Sequence, residues 1–306
     1  MEFFLRKSDG CRTWPFMKLR LFITLILLIV SAVLPAQDID LRSLMSPVKH
    51  QGERGTCSVF AATALMEFLL KRDIGKEIDL SESYAYWLGK TVAGESDYVR
   101  RLYAQGDGLA GYLAVQAFRH GAILEEDWPY TAQNWQQSGD KRCQKDSHGE
   151  WVLECFTGRP PHDPALIGYR VEPIFVAREK IASYLLNQKA PVAMNLMYYF
   201  KLFNQKGDAA RAPNPSEVRA CVKQEKDCGG HVILLVGYNA DSKRFIFRNS
   251  WGPQWGTNGY GTLPEEYVLN HCESCYQTRN LSTLSEESRQ FIKKTSMGVS
   301  GKLSQN

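Results

Sequence analysis

Three residues of this chain have the types and the order that a thiol nucleophile needs. Cys57 ends the stretch QGERGTC, His231 begins an apolar run after two glycines, and Asn249 lies in the stretch RNSWG. A thiol attacks a carbonyl as the thiolate, so a nearby imidazole has to accept its proton, and an amide can orient that imidazole. Together the three residues predict nucleophilic catalysis by a cysteine.

Local patterns indicate how each residue is positioned. The apolar spacing of residues 58–71 predicts an amphipathic helix, so Cys57 lies at a helix N-terminus, where free N–H groups lower the pKa of a thiol. His231 begins the run VILLV, and Asn249 follows the run FIF. Both runs are typical of buried strands.

Nearby side chains complete the predicted arrangement. Trp251 and Trp255 follow Asn249 and are expected to shield its hydrogen bond to His231 from water. Gln51 is expected to donate its side-chain N–H to the developing oxyanion, beside the backbone N–H of Cys57. Taken singly, a buried cysteine is most often inert and a lone histidine most often a core residue. Their joint occurrence in this order favours the catalytic interpretation.

These stretches resemble the papain family of cysteine peptidases, over about residues 41–276. The resemblance also rests on SPVKHQG at 46–52, DLSE at 79–82, GDG at 106–108, EEDWPY at 125–130 and APVAM at 190–194. It implies an α+β fold with a helical N-terminal lobe and a β-barrel-like C-terminal lobe. The active site would lie in the cleft between them.

The resemblance implies a cysteine-type peptidase, with endopeptidase action expected. Cys57 would be the nucleophile, His231 the base and acid, Asn249 the residue that orients His231, and Gln51 the oxyanion donor. It further implies substrate-binding positions, with the Gly108 backbone pairing with the peptide. These positions are Gly108, Asp107, Gly230, Asn195 and Trp251. Neither a cofactor nor a metal is predicted.

Several positions depart from the family pattern. Arg54 replaces a disulfide-forming cysteine, Ser58 replaces an aromatic residue beside the thiol, and Asp107 replaces a cleft glycine, which would place a carboxylate near the entrance. His231 and Asn249 follow Cys57 by 174 and 192 positions, against about 130–150 in the family. An insertion loop at residues 131–165 accounts for that length. The departures indicate a divergent, bacterial branch.

The first 36 residues have the organisation of a signal peptide. Cations precede an apolar run at residues 21–34, followed by Pro35-Ala36, and cleavage is expected after Ala36. Met17 is a better signal start than Met1, and an uncleaved signal anchor is the alternative. The sequence thus predicts a secreted or periplasmic peptidase domain at 37–280 and a polar, flexible tail at 281–306.

Little sequence lies between Gln37 and Ser46, so no long inhibitory prosegment is predicted. Latency is expected instead to come from export, from a separate proteinaceous inhibitor or from the loop at residues 204–227. Other expected partners are protein or peptide substrates, and the chain is predicted to be a monomer that contacts membranes only through its signal segment.

Cysteine counting agrees with export. Apart from Cys11 and Cys57 the chain holds an even six cysteines, which in an oxidising compartment predicts up to three disulfides. Proximity in sequence favours two of the pairs, while the last two cysteines could instead form half of a zinc site or a redox CxxC. The six are Cys143 with Cys155, Cys221 with Cys228, and Cys272 with Cys275.

Charge excludes one class of partner. The chain has a formal net charge of +4, of which residues 1–36 contribute +3, so a nucleic-acid partner has no electrostatic support in the exported part. Two alternatives to a hydrolase stay open at this stage. One is a degenerate binding protein that only captures peptides, and the other is an acyl transferase or ligase that uses the same triad.

Periodicity predicts the coarse order of elements. Helices are expected at 57–71, 81–90, 109–120 and 179–186, and strands at 191–197, 231–238 and 244–248. Helices thus precede strands, as expected for an α+β chain with two lobes.

Overall fold

The computed structural model describes residues 37–93, 103–223, 227–278 and 280–301, with side chains described as far as residue 296. The predicted signal segment lies outside these ranges. Within them no helix combines the length and the apolar content that crossing a bilayer requires.

The described residues form nine α-helices. In chain order they are α1 (Cys57–Ile74), α2 (Glu82–Thr91), α3 (Gly111–Ala117), α4 (Trp135–Ser138), α5 (Glu154–Thr157), α6 (Ile181–Gln188), α7 (Pro215–Val222), α8 (Glu265–His271) and α9 (Glu286–Gly301). Short 3₁₀ turns continue or precede several of them, such as Phe118–His120 after α3.

The same residues form nine strands. They are β1 (Ile39–Asp40), β2 (Tyr169–Arg170), β3 (Pro173–Phe175), β4 (Val192–Tyr199), β5 (Cys228–Asn239), β6 (Arg244–Arg248), β7 (Tyr260–Pro264), β8 (Cys272–Thr278) and β9 (Ser282–Thr283).

Seven strands of the described chain build one antiparallel sheet. Its order is β3-β8-β4-β5-β6-β7, and β1 also pairs with β5. The sheet is open, because in the described residues its end strands β3 and β7 do not pair with each other. The predicted α+β fold, with a helical N-terminal part and a sheet-rich C-terminal part, is confirmed.

Helix α1 is the central element of the fold. Its residues from Ser58 to Leu70 are all buried, and it packs against α2 and α3 on one side and against β4 and β5 on the other. The prediction of an amphipathic helix is therefore wrong, because residues 58–70 are buried on all faces of the helix. The helix ends at Gly75, whose φ of 69° is the left-handed conformation of a C-terminal cap.

Ion pairs hold the segment before α1 in place. The Lys49 ammonium lies 3.1 Å from Glu67 of α1 and 2.8 Å from Glu82 of α2, and both carboxylates are buried. On the sheet side, Arg248 of β6 donates to the carbonyl oxygens of Ser46 and Pro47. The chain that leads to Gln51 is therefore tied to both parts of the fold.

The longest predicted elements agree with the structure within a few residues. The helix predicted at 57–71 extends to Ile74, and the strand predicted at 231–238 is the middle of β5. The predicted loop at 204–227 contains the unpredicted helix α7, which begins with a capping box formed by Asn214 and Glu217. The predicted insertion at 131–165 contains α4 and α5, and Phe156 from it is buried in the main core.

The prediction of a flexible tail is wrong for the residues that the structure describes. Strand β9 pairs with β2, and helix α9 follows it. Ile292 of α9 is fully buried in an apolar cluster with Trp87 and Leu88 of α2. The polar composition of the segment concealed these contacts, because Ile292 is one of few apolar side chains that it buries and β9 is held through its backbone.

Truncation of Ile292 tests whether α9 is part of the folded domain. We expect Ile292→Ala to lower the free energy of unfolding by about 2–4 kcal/mol, because it removes a fully buried side chain. Lys294→Ala on the exposed face of α9 is the control and should change it by no more than about 0.5 kcal/mol. Urea denaturation measures both. Equal, small effects would mean that α9 does not contribute to the core.

Candidate active site

Cys57 is the first residue of α1 and is half-buried. It is the one free cysteine of the described residues, since six others form disulfides. Thr56 stands at the N-cap, yet its hydroxyl is bonded to the Tyr130 hydroxyl at 2.7 Å and does not cap the helix. The first N–H groups of α1 are thus left without a side-chain cap beside the thiol.

The pKa of Cys57 shifts opposite to the direction that its helical position predicts. Burial raises the pKa of the thiol, while hydrogen bonds from the backbone of Val232, Ser58 and Cys57 itself lower it by a smaller amount. The expectation of a thiol acidified by the helix N-terminus alone is therefore corrected. The contact with Val232, the residue after His231, brings the thiol to the strand that carries the imidazole.

His231 lies in β5 and is 8% exposed. Its Nε2 lies 2.8 Å from Oδ1 of Asn249, so the neutral ring donates there and leaves Nδ1 with a lone pair. Burial lowers the pKa of His231 to about 4, against the opposing effect of the Asn249 hydrogen bond. Neither the thiolate nor the imidazolium is therefore favoured on its own.

Asn249 is held in the orientation that His231 needs. It is 3% exposed, directly after β6, and its Oδ1 also accepts the backbone N–H of Ser250 at 2.8 Å. Because two donors point at this one atom, it must be the oxygen of the side-chain amide. The amide cannot present its nitrogen to the ring without losing both bonds.

Aromatic rings enclose the imidazole. Trp251 stacks on His231 with ring centroids 4.8 Å apart, and Trp255 packs edge-on against Trp251 at 5.4 Å. Both tryptophans were predicted to shield the His231–Asn249 bond. Tyr198 of β4 was not predicted, and its ring lies edge-on to His231 at 5.6 Å. Strand alternation could have indicated it only once the register between β4 and β5 was known.

Gln51 lies beside the nucleophile and is 7% exposed. One N–H of its side-chain amide donates to the carbonyl oxygen of Arg54 at 2.7 Å, and its oxygen accepts from the Ser250 hydroxyl. Its backbone carbonyl accepts from the Tyr130 hydroxyl at 2.8 Å. A primary amide carries two N–H groups, so one remains for an oxyanion. Sequence reasoning missed Tyr130 and Ser250, because neither adjoins Gln51 in the chain.

The predicted substrate-binding glycines face open space. Gly108 and Gly230 are exposed, and a Cβ added to either would meet no atom within 4 Å. Asn195 is paired across the sheet with Val232, and its Oδ1 is buried without a partner among the described residues. A Cβ on Gly111 would lie 2.3 Å from that oxygen, so a larger residue at this position would displace the Asn195 amide.

Asp107 carries the carboxylate that was predicted near the cleft entrance, and this carboxylate has buried partners. Its side chain is 9% exposed and lies 3.2 Å from the Arg54 guanidinium. The amide of Asn134 donates to both of its oxygens at 2.9 and 3.0 Å. These buried contacts use the carboxylate within the protein.

The six remaining cysteines of the described chain form three disulfides. Those predicted by proximity, Cys143–Cys155 and Cys221–Cys228, are both present. Cys272 and Cys275 also pair with each other, which decides between the disulfide and the zinc alternative for the CxxC segment. Among the described residues no group of three or more potential ligands is arranged to hold a metal.

Comparison with known proteins agrees with this geometry. A sequence model of the family described as "Papain family cysteine protease" matches residues 35–283. Cysteine proteinase 3 of Entamoeba histolytica is 25% identical over 236 residues, which cover 75% of this chain and 63% of that protein. Cathepsin K of Mus musculus is 27% identical over 232 residues, covering 74% and 58%. The chain thus spans less than two thirds of the length of these curated relatives.

One solved structure has a similar fold. Xylellain, a cysteine protease from Xylella fastidiosa, superposes with a TM-score of 0.56 at 22% sequence identity. The superposition covers 81% of this chain and 87% of that structure. At this identity the likeness concerns the fold.

Titration of His231 tests the effect of burial on the site. In a Cys57→Ala variant, which removes the thiol proton, we expect the ring to titrate near pH 4 rather than near its ordinary value of about 6.5. The folded state then excludes a proton that the unfolded chain binds, so stability should fall as pH decreases from about 6.5 towards 4. NMR of the ring protons measures the pKa. A midpoint near 6.5 would contradict the burial argument.

Proposed function

This chain belongs to the papain family of cysteine proteases, and from that membership we propose that it hydrolyses peptide bonds with Cys57 as the nucleophile. One observation carries the assignment of roles. His231, which forms the 2.8 Å hydrogen bond with Asn249, precedes Val232 in β5, and the Val232 N–H contacts the Cys57 sulfur. These contacts support the proposal that thiol, imidazole and amide act in the order that proton transfer requires.

The reaction begins with proton transfer within the pair. Burial disfavours either charge alone, but transfer of the proton from Cys57 to Nδ1 of His231 creates both charges together, so that each stabilises the other. The backbone N–H groups around the sulfur further stabilise the thiolate. Asn249 keeps the ring aimed throughout, since its oxygen accepts the N–H of the opposite nitrogen.

Acyl transfer then proceeds in two halves. The thiolate attacks the peptide carbonyl, and the free N–H of Gln51 with the backbone N–H of Cys57 stabilises the oxyanion. His231 returns its proton to the leaving amine, which departs and leaves a thioester on Cys57. A water molecule gives a proton to His231 and attacks the thioester, releasing the acid and restoring the thiol.

The substrate is a peptide in extended conformation. Gly108 and Gly230 leave open space for its backbone, and the Gly108 backbone is expected to pair with it. Asn195 and Trp251 are proposed to contact its side chains. The Asp107 carboxylate contacts Arg54 and Asn134, which supports a structural role for this departure from the family pattern.

Export completes the proposal. Three disulfides in the described chain are typical of an oxidising compartment, which supports a secreted or periplasmic location. A separate proteinaceous inhibitor remains a proposed partner.

The pH dependence of cleavage tests the paired roles. We expect kcat/KM to fall below about pH 4, where His231 gains its own proton, and again above the burial-raised pKa of Cys57, where the pair loses its shared proton. Cleavage of a fluorogenic peptide library gives the profile. Iodoacetamide labelling of the Cys57 peptide, read by mass spectrometry, should persist well below the ordinary thiol pKa of about 8.5.

His231→Ala and Cys57→Ala are the matched variants. His231→Ala should abolish cleavage and shift labelling of Cys57 to pH values above about 8.5, because no base accepts the thiol proton. Cys57→Ala should abolish both. Labelling in wild type that starts only near pH 8.5 and ignores His231→Ala would instead support a protein that binds peptides without cleaving them.

The oxyanion role of Gln51 is tested separately. Gln51→Ala should lower kcat by about 10²- to 10³-fold with a smaller change in KM, because the lost N–H acts in the transition state. Ser250→Ala is the control: it removes the hydroxyl that holds the Gln51 oxygen but keeps the donor. Steady-state kinetics of both variants decide the matter. Equal losses would mean that Gln51 acts only by holding the loop.

A further inference from the structure

Arg54, three residues before Cys57, joins chain segments that are distant in sequence. The side chain is 3% exposed. Its Nη2 donates to the Phe156 carbonyl at 2.7 Å and to Asp107 at 3.2 Å, and its Nη1 donates to the Thr131 carbonyl at 3.2 Å. One guanidinium thus links the nucleophile loop, the segment that carries Gly108 and both ends of the insertion.

Protein contacts replace the water that the buried Arg54 and Asp107 charges lose. Asn134 donates to both Asp107 oxygens, and the Tyr86 hydroxyl lies 3.4 Å from one of them. The guanidinium carbon lies 5.0 Å from the ring centroid of Tyr86 and 5.3 Å from that of Tyr130. A buried ion pair keeps its charges when such contacts replace water, and loss of one partner is then costly.

Arg54 and Asp107 both lie beside residues of the proposed site. A Cβ on Gly55 would lie 3.5 Å from the Asp107 Cβ and 3.6 Å from the Gly108 nitrogen, so the nucleophile loop touches the cleft wall here. The backbone carbonyl of Arg54 accepts the Gln51 side-chain N–H. Displacement of Arg54 would therefore move Gln51 and Cys57, and displacement of Asp107 would move Gly108.

Building on the proposed function, we propose that Arg54 and Asp107 are positioning residues whose buried ion pair holds Cys57 and Gln51 in register with Gly108. Unlike a disulfide, this ion pair forms without an oxidant. Cys57 reacts only while it is reduced, and reductants that keep it so also attack disulfides. An ionic link at the site is insensitive to such reductants, whereas the Cys143–Cys155 link, next to Phe156, is formed only under oxidising conditions.

The kinetics of single variants test the proposal, because Arg54 and Asp107 are expected to affect different constants, kcat and KM respectively. Arg54→Met should lower kcat and the rate of Cys57 alkylation by iodoacetamide by about 10- to 100-fold, because it displaces the nucleophile loop. Asp107→Asn should mainly raise KM, by about tenfold, with alkylation changed by less than about threefold, because it displaces Gly108. Arg54→Lys keeps the charge but lacks the planar fork of donors with which the guanidinium spans its three acceptors, and should be intermediate.

Ile292→Ala is the control for stability, since it destabilises the helical lobe far from the thiol. It should leave kcat, KM and alkylation unchanged in the folded fraction. The double variant Arg54→Met/Asp107→Asn removes both charges, so it should regain thermal stability relative to Arg54→Met while its kcat and alkylation stay low. A reductant that opens the disulfides should leave alkylation of wild-type Cys57 within about twofold.

Two outcomes would overturn the proposal. The first is that folded Arg54 and Asp107 variants keep kcat, KM and alkylation within about twofold of wild type. The second is that kinetics recover with stability in the double variant, which would make the pair merely structural. Alkylation reports the position of the thiol without peptide cleavage. If Cys57→Ala still cleaved peptides, the proposed function would fail while alkylation of the Arg54 variants still decided this point.

Discussion

The burial of helix α1 is the constraint on which both halves of the site depend. Packing of α1 between α2 and α3 on one side and β4 and β5 on the other delivers its first residue, Cys57, to the strand that carries His231. The same packing removes water from both groups, which raises the pKa of the thiol and lowers that of the imidazole. In such a site the thiolate and the imidazolium form only together, by proton transfer from Cys57 to His231. The burial of α1 therefore both positions the two groups and sets their protonation.

Disulfides and polar links both cross-link the fold, but they occur in different places. Disulfides close short loops in the insertion, before β5 and within β8, whereas ionic and hydrogen-bonded links surround Cys57. The segment from Gln51 to Thr56 is fixed by Ser250, Tyr130 and the Arg54 carbonyl. A disulfide beside a reactive thiolate can exchange with it. In the described residues the links that hold the segment before Cys57 are ionic and hydrogen-bonded instead.

Sequence alone was sufficient for the features that depend on local pattern. The helix after Cys57, the strand after His231 and the place of Asn249 follow from periodicity and short motifs. Contacts between distant segments could not be predicted in this way. The partner of Asp107 lies on the nucleophile loop, and the pKa of Cys57 depends on burial by the whole fold. Helix α9 was mistaken for a flexible tail because its attachment depends on contacts with distant segments, such as that of Ile292 with α2.

The position of Ile292 also bears on the order in which the chain folds. Tyr84, Trp87, Leu88 and Ile123 form their apolar cluster early in the sequence, but the side chain that completes it arrives only after the entire sheet has been synthesised. Until then the helical lobe leaves this surface open to chaperones and to association with other chains. Contacts of such large sequence separation slow folding, which keeps a nascent chain unfolded for longer.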